Sequence, residues 1–240
     1  MLEPSEPVVT VVVAAGSGTR LGGQTPKALR AVGGRPLVLR SVELLAAGGC
    51  THAVVVVPGD GIGEFAEALR DAPIPCRCVA GGAVRQDSVR FGLDAVAADP
   101  ALAGCRVVLI HDAARALVPP AVVARVLAAV RGGAVAVIPV VPVIDTIRQV
   151  TASGSRVVDR SDLRAVQTPQ GFDLGTIAQA HALLVCEGLE VTDDAAACEH
   201  AGHTVTLVEG ARESLKVTEP LDLVLAEAIA RADAQEGCRA

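Results

Sequence analysis

Residues 11–27 read VVVAAGSGTRLGGQTPK. The apolar run Val8–Val13 stops at a small-residue turn, Ala14-Ala15-Gly16-Ser17-Gly18-Thr19, and two cations follow, Arg20 and Lys27. A buried strand that feeds a glycine-rich loop brings backbone N–H groups close to an anion, because no side chains block the approach. Arg20 and Lys27 then meet the charge of a phosphate chain. Two common relatives of such a loop are excluded by spacing. The dinucleotide fingerprint needs glycines at its first, third and sixth positions; Gly16 and Gly18 supply two, but Leu21 stands at the sixth. The Gly-Lys-Ser/Thr ending of a P-loop is absent as well. Any tight strand-to-helix turn favours glycine, but the glycines together with Arg20 and Lys27 point to a grip for a nucleoside triphosphate.

Working outward, short apolar runs recur at Ala53–Val57, Arg106–Ile110, Ala134–Val141 and Thr204–Val208. They lack polar alternation, which suits strands covered on both faces. Between them lie amphipathic segments of helical length: Pro36–Ala47, Ile62–Leu69, Ser88–Ala97, Pro120–Val130, Leu174–Leu184 and Pro220–Ala232. The alternation implies an α/β chain, a mostly parallel sheet covered by helices on both faces with right-handed crossovers. Residues 143–170 break the rhythm. Short β-branched pieces, Thr146-Ile147 and Arg156-Val157-Val158, flank a turn at Ser153-Gly154, which reads as a β-hairpin arm projecting from the sheet. Such an arm suits pairing with another subunit or an ordinary surface hairpin. No linker divides the chain, so residues 1–240 are expected to form one domain, with a frayed tail over Ala234–Ala240.

Composition narrows the function. The chain has 240 residues, 51% of them hydrophobic, with mean hydropathy +0.46, enough for a substantial core. The net charge is −6, which argues against a general nucleic-acid binder. No apolar run approaches the roughly 18 residues of a membrane span, and the acidic start MLEPSEP is unlike a signal peptide. A cytoplasmic protein is expected. Seven cysteines are irregularly spaced, Cys76 and Cys78 being the one close pair. They read as small buried hydrophobes in a reducing compartment rather than as a zinc set. Tyr and Trp are absent and Phe occurs at 65, 91 and 172, so a base must be read by backbone and short polar groups.

Further constellations lie downstream. In Gly81-Gly82-Ala83-Val84-Arg85-Gln86-Asp87-Ser88 the glycines free the backbone, Arg85 supplies a cation, and Asp87 or Ser88 either caps a helix or meets a ligand. His111-Asp112-Ala113-Ala114-Arg115 follows an apolar run directly. Ligands bind at the carboxyl ends of strands in open α/β sheets, so Asp112 is placed to hold a divalent cation beside a phosphate. Mg²⁺ suits one or two carboxylates plus phosphate oxygens. Ala113 and Ala114 leave room for a sugar, and His111 reads as structural. Thr192-Asp193-Asp194 caps a helix, with or without ligand contact. Lys216, in Ser214-Leu215-Lys216-Val217-Thr218, draws its interest from this context, as do the polar turns Pro139–Thr146 and Gln167–Gln170.

Together the motifs AAGSGTRLG…PK, GG..R..SV, HDAAR, D-T, V-D-R, TPQ, TDD and K-V-T resemble, in this order, the methylerythritol phosphate cytidylyltransferases of isoprenoid biosynthesis, over about residues 8–230. The resemblance implies a Rossmann-like fold and a Mg²⁺-dependent reaction of CTP with 2-C-methyl-D-erythritol 4-phosphate, releasing pyrophosphate. It implies that Arg20 and Lys27 stabilise charge on the triphosphate and that Asp112 is the metal-associated carboxylate. Ala14, Ala15, Gly82, Ala83 and Ser88 match cytidine-binding positions, with Gly16, Gly18, Thr19, Arg85 and Ala113 on the same nucleotide side. Thr146, Arg160, Thr192 and Lys216 match positions that hold the second substrate, with Asp112 and Arg115 beside it. Arg160 and Lys216 join Arg20 and Lys27 as the implied catalytic cations. The Arg160 equivalent reaches over from a partner's arm, which implies a homodimer. The chain departs from the family at Ala83, where an acidic residue is frequent, and at Glu213-Ser214 before the final Lys. A cytidylyltransferase for a pentitol phosphate such as ribitol 5-phosphate, and a nucleotide-binding module without turnover, fit the same loop.

Overall fold

The computed structural model describes residues 6–16, 18 and 25–237. In chain order these form β1 (Val8–Val13), a 3₁₀ turn at Lys27–Leu29, β2 (Ala31–Val32), β3 (Arg35–Pro36), α1 (Leu37–Ala47), β4 (His52–Val57), α2 (Ile62–Ala68), β5 (Cys76–Ala80) and α3 (Arg85–Ala97). A second 3₁₀ turn at Pro100–Leu102 leads to β6 (Val107–Asp112), α4 (Pro120–Arg131), β7 (Ala136–Pro142), β8 (Ile147–Thr151), β9 (Gly154–Val158), β10 (Arg164–Val166) and β11 (Gln170–Asp173). The chain continues through α5 (Leu174–Glu187), α6 (Asp194–His200), β12 (Val205–Glu209) and α7 (Pro220–Gly237). Among the described residues no helix is long and apolar enough to cross a membrane.

The apolar run at Val8–Val13 becomes a central strand, paired in parallel with β4 on one side and β6 on the other. The main sheet runs β10-β7-β11-β6-β1-β4-β5, with β12 also on β7. β5 and β12 add in parallel at its two ends. The expected mostly parallel sheet is observed, with β10 and β11 as its antiparallel members. Alternation along β1 splits the core into two layers. Val8 and Val12 meet Val42, Leu45, Phe65 and Val123 under α1, α2 and α4. Val9 and Val11 meet Val89, Leu93, Phe172 and Ile177 under α3 and α5. Each large side chain buried in this way contributes about 1.5–3 kcal/mol. A third cluster seats α7, through Ala226 and Ala230, against Val32, Leu37, Leu117 and Val217.

Several boundaries differ from those read in the sequence. The arm is shorter than residues 143–170. β8 and β9 form a separate two-stranded sheet, whereas β10 and β11 return to pair with β7. The run expected to end at Ile110 extends through Asp112, because His111 and Asp112 continue the register against Val12 and Val13. α3 opens at Arg85, not Ser88. Pro36 precedes α1 instead of opening it, and α7 runs on to Gly237; residues 238–240 of the expected frayed tail lie outside the described residues. β5 has no counterpart in the reading by apolar runs: as an edge strand it alternates Cys, Arg and Cys. Of the described cysteines, Cys50 and Cys198 are buried as expected, Cys76, Cys78 and Cys105 are half-buried and Cys186 is exposed; burial pushes the Cys50 thiol up to about 12, and burial followed by the neighbouring Cys78 pushes Cys76 to about 11.

Candidate active site

The chain runs from β1 outward to β4 and β5, then crosses back to β6 on the other side of β1. That reversal opens a crevice at the carboxyl ends of β1 and β6, where open α/β sheets bind ligands. The cavity found there has a volume of about 400 Å³. The turn after β1 lines it with Ala14, Ala15 and Gly16, and the loop after β5 with Gly82 and Ala83. The first turn of α3 contributes Arg85 and Ser88, and the end of β6 contributes Asp112 and Ala113. Lys27 enters from the 3₁₀ turn and Lys216 from the segment before α7.

Local chemistry fixes these positions. Gly18 has φ +61° and passes so close to the start of the 3₁₀ turn that a Cβ would sit 2.5 Å from Lys27 Cβ; only glycine permits that conformation and that approach together. Ser88, buried at the fourth position of α3, accepts from the Gly82 amide at 3.1 Å and donates to the Val84 carbonyl at 3.2 Å. It therefore shapes the glycine loop from within the helix. The Asp112 amide donates to Thr168 Oγ1 at 3.1 Å, and Thr168 Oγ1 lies 3.1 Å from His111 Nδ1. The TPQ turn thus braces the end of β6.

Lys216 arrives by a pinned loop. Gln167 Nε2 donates to the Ala211 carbonyl at 2.7 Å, and its Oε1 accepts from the Ala211 amide at 3.1 Å. Arg115 Nη1 donates to the Ser214 carbonyl at 2.7 Å and Nη2 to the Val166 carbonyl at 3.3 Å. The Val217 amide donates to the Ala114 carbonyl at 2.9 Å. The loop so held sets Lys216 Nζ 2.7 Å from Asp112 Oδ2, while Arg85 Nε lies 3.3 Å from Asp112 Oδ1. Asp112 is only 8% exposed. Burial alone would raise its pKa; the charges of Arg85 and Lys216 and the Lys216 hydrogen bond outweigh it and hold the carboxyl well below the usual range. Asp112 stays ionised at neutral pH.

Of the residues singled out in the sequence, the cavity brings together Ala14, Ala15, Gly16, Lys27, Gly82, Ala83, Arg85, Ser88, Asp112, Ala113 and Lys216. Thr19 and Arg20 lie outside the described residues. Thr146 is exposed at the base of the arm, and Thr192 is exposed just before α6. Arg160 is exposed beyond β9, with Nη1 donating to the Ile144 carbonyl. Arg115 holds main-chain carbonyls instead of lining the cavity, and Glu213 is exposed outside it. Ala114, also singled out in the sequence, lines it too, and Val13, Ala28 and Val84 complete the lining. Val13 ends β1, Ala28 sits in the 3₁₀ turn and Val84 precedes α3; all three are apolar, with no polar group to mark them in the sequence.

The residues present fit a Mg²⁺ ion carried in on a nucleotide better than a protein-held one. Asp112 is the one carboxylate lining the described cavity, and among the described residues no group of three or more His, Cys, Asp or Glu stands ready to hold a metal. Mg²⁺ bound through one carboxylate and substrate phosphates needs no more.

The sequence profile of the family IspD, 2-C-methyl-D-erythritol 4-phosphate cytidylyltransferase, matches residues 8–232. Proteins of that description from Frankia casuarinae and Streptomyces coelicolor are 49% and 47% identical, covering 97% and 91% of this chain and 85% and 83% of their own. A crystal structure of the 2-C-methyl-D-erythritol 4-phosphate cytidylyltransferase from Thermus thermophilus superposes with a TM-score of 0.74 at 38% identity, over 92% of this chain and 98% of that one. With the match spanning both lysines, Asp112 and the arm, this chain belongs to the 2-C-methyl-D-erythritol 4-phosphate cytidylyltransferase family.

Proposed function

We propose that the crevice transfers a cytidylyl group from CTP to 2-C-methyl-D-erythritol 4-phosphate, giving 4-diphosphocytidyl-2-C-methyl-D-erythritol and pyrophosphate for isoprenoid precursor biosynthesis. One observation carries the assignment of roles. Lys27 and Lys216, from opposite ends of the chain, line the same cavity as Asp112. A phosphate oxygen of the second substrate attacks the α-phosphorus of CTP, the bond to the β-phosphate breaks, and pyrophosphate leaves with the electron pair. Both reactants are anions. Two unit charges 4 Å apart differ by about 1 kcal/mol in water but about 4 kcal/mol at an effective dielectric of 20, so their approach must be compensated. Lys27 and Arg20 hold the triphosphate, and Lys216 holds the attacking phosphate. Positioning and charge stabilisation then supply most of the rate. The attacking phosphate is already ionised, so no general base is required.

Ala14, Ala15, Gly82, Ala83 and Ser88 read the cytidine through backbone and hydroxyl groups, with Gly16, Gly18, Thr19, Arg85 and Ala113 beside them. Asp112 would help hold a Mg²⁺ ion brought in with the phosphates, and that ion would supply charge neutralisation. Arg115 supports the second-substrate side through the loop it pins. Thr146, Thr192 and Arg160 contact methylerythritol phosphate, Arg160 from the partner of a homodimer joined through the arms. The arm supports that reading. A two-stranded hairpin is marginal alone in water, and this one exposes Val150 (83%) and Val157, with Ile144 exposed at its base. The free thiols Cys50, Cys76, Cys78, Cys105, Cys186 and Cys198 suit a reducing cytoplasm.

The test is pyrophosphate release from CTP, Mg²⁺ and methylerythritol phosphate, with ribitol 5-phosphate as a second acceptor and ATP, GTP and UTP as alternative donors. Turnover restricted to CTP and methylerythritol phosphate is expected. Preference for the pentitol phosphate, or tight CTP binding without turnover, would replace this reading.

A further inference from the structure

Behind the cavity wall lies a line of alternating charge. From Asp112 it passes to Arg85, whose Nη2 donates to Asp194 Oδ2 at 2.8 Å, and Asp194 Oδ1 lies 3.3 Å from His181 Nε2. Asp194 is 1% exposed and does not line the cavity. It opens α6, and α6 is fixed to the sheet. Asp193 caps the helix by accepting from the Ala196 amide at 3.0 Å. Buried Gln170 of β11 donates to Asp193 Oδ2 at 3.1 Å and accepts from the Ala195 amide at 3.2 Å. His181 meets Asp194 from α5. Asp194 therefore has a fixed address, given by three elements that carry no cavity-lining residue. A buried ion pair is a poor stabiliser, since desolvation consumes much of its Coulombic gain. Its geometry points elsewhere: the two carboxylates pull on different nitrogens of one guanidinium.

We propose that Asp194 is a positioning residue for the nucleotide site, holding the Arg85 guanidinium back so that it meets Asp112 by a single long contact. With the Asp194 charge removed, Arg85 has one carboxylate left. It then closes on Asp112 as a two-pronged pair, the geometry guanidinium and carboxylate adopt when nothing competes. Asp112 loses its freedom toward the incoming ligand, and Arg85 leaves its place at the mouth of α3. Misplacement by about 1 Å costs up to 100-fold in rate, while the backbone groups that line the cavity are untouched. The loss falls on turnover more than on CTP affinity.

This inference rests on the cytidylyltransferase reading, and the wild-type assay keeps the two separate: an inactive wild-type protein sinks both, whereas an active one leaves only Asp194 in question. Steady-state kinetics with CTP and methylerythritol phosphate are compared for wild type, Asp194→Asn, Arg85→Gln and the double variant, with melting curves on each. Asp194→Asn is expected to lower kcat by about 10-fold or more while KM for CTP moves less than about 3-fold. The same change in the Arg85→Gln background is expected to cost nothing further, a coupling that a merely structural residue would not show. Wild-type kcat in folded Asp194→Asn, or losses that multiply in the double variant, overturns the proposal. If Asp194→Asn does not fold, His181→Gln decides: a several-fold fall in kcat that vanishes beside Arg85→Gln supports it, and unchanged kcat overturns it.

Discussion

Lys216 and Lys27 carry the same charge but are held differently. Lys216 is paired with Asp112 at 2.7 Å, so an entering phosphate must draw it across from one anion to another. Lys27 is held in the crevice by the 3₁₀ turn that Gly18 lets approach. Replacing either with Ala is expected to lower kcat by about two orders of magnitude or more, the scale of one lost charge-stabilising donor, while circular dichroism shows an intact fold. Full activity in either folded variant would contradict the assigned roles. His111, beside them, sets an acid limit on the fold. It is fully buried, and burial, with Asp112 opposing and Arg115 adding, pushes it down to about 4 from an ordinary 6.5. As pH falls below about 6.5 the unfolded chain takes up a proton that the folded chain refuses. Stability is therefore complete above 6.5 and declines toward pH 4, by about 3 kcal/mol in all. Denaturant titrations between pH 7 and 4 are expected to show this slope, and His111→Gln to flatten it.

At the scale of elements, the loop at residues 210–217 depends on two side chains remote in sequence. Arg115 serves the carbonyls of Ser214 and Val166, and Gln167 serves both main-chain groups of Ala211. Arg115→Ala leaves the carbonyl of buried Ser214 without its donor, a loss of about 1–3 kcal/mol, and frees the segment that delivers Lys216. Lower denaturation midpoints together with a kcat reduced about 10-fold or more are expected; an unchanged kcat would show that the loop needs no pin. Central elements such as β1 and β4 were legible in the sequence because burial on both faces leaves an uninterrupted apolar signature. β5 was not, because an edge strand has no need of one. The start of α3 was hidden because Val84, at its N-cap, makes no side-chain capping bond, so that Ser88 looked like the opening residue when it serves the Gly82 loop from inside the helix. α6, with seven residues, was visible only through the Asp193 cap.

Across the whole molecule, the cavity draws on segments from Val13 to Lys216, and only strand order brings them together. The motifs singled out candidate residues. Their convergence required the crossover from β5 back to β6, which no local pattern contains, and Arg85 gave no local sign that it joins Asp112 to Asp194. In the proposed homodimer the arm would extend this logic to two chains. If Arg160 serves a partner's site, Arg160→Ala and Lys27→Ala proteins are each nearly inactive alone. Mixed under conditions where subunits exchange, they are expected to recover up to about a quarter of wild-type activity, since in a randomly mixed dimer one of the two sites is intact in half of the molecules. No recovery, with exchange demonstrated, would mean that the arm acts on its own chain.

Lys216 reaches Asp112 from a segment that Val217 ties to Ala114 and that Arg115 and Gln167 pin, with Val217 in the apolar cluster that seats α7. During synthesis, residues 210–217 must therefore leave the ribosome before Lys216 can dock beside Asp112. A nascent chain stalled before residue 216 would hold the glycine-loop side of the crevice without Lys216, so synthesis itself delays completion of the cavity until those residues have left the ribosome.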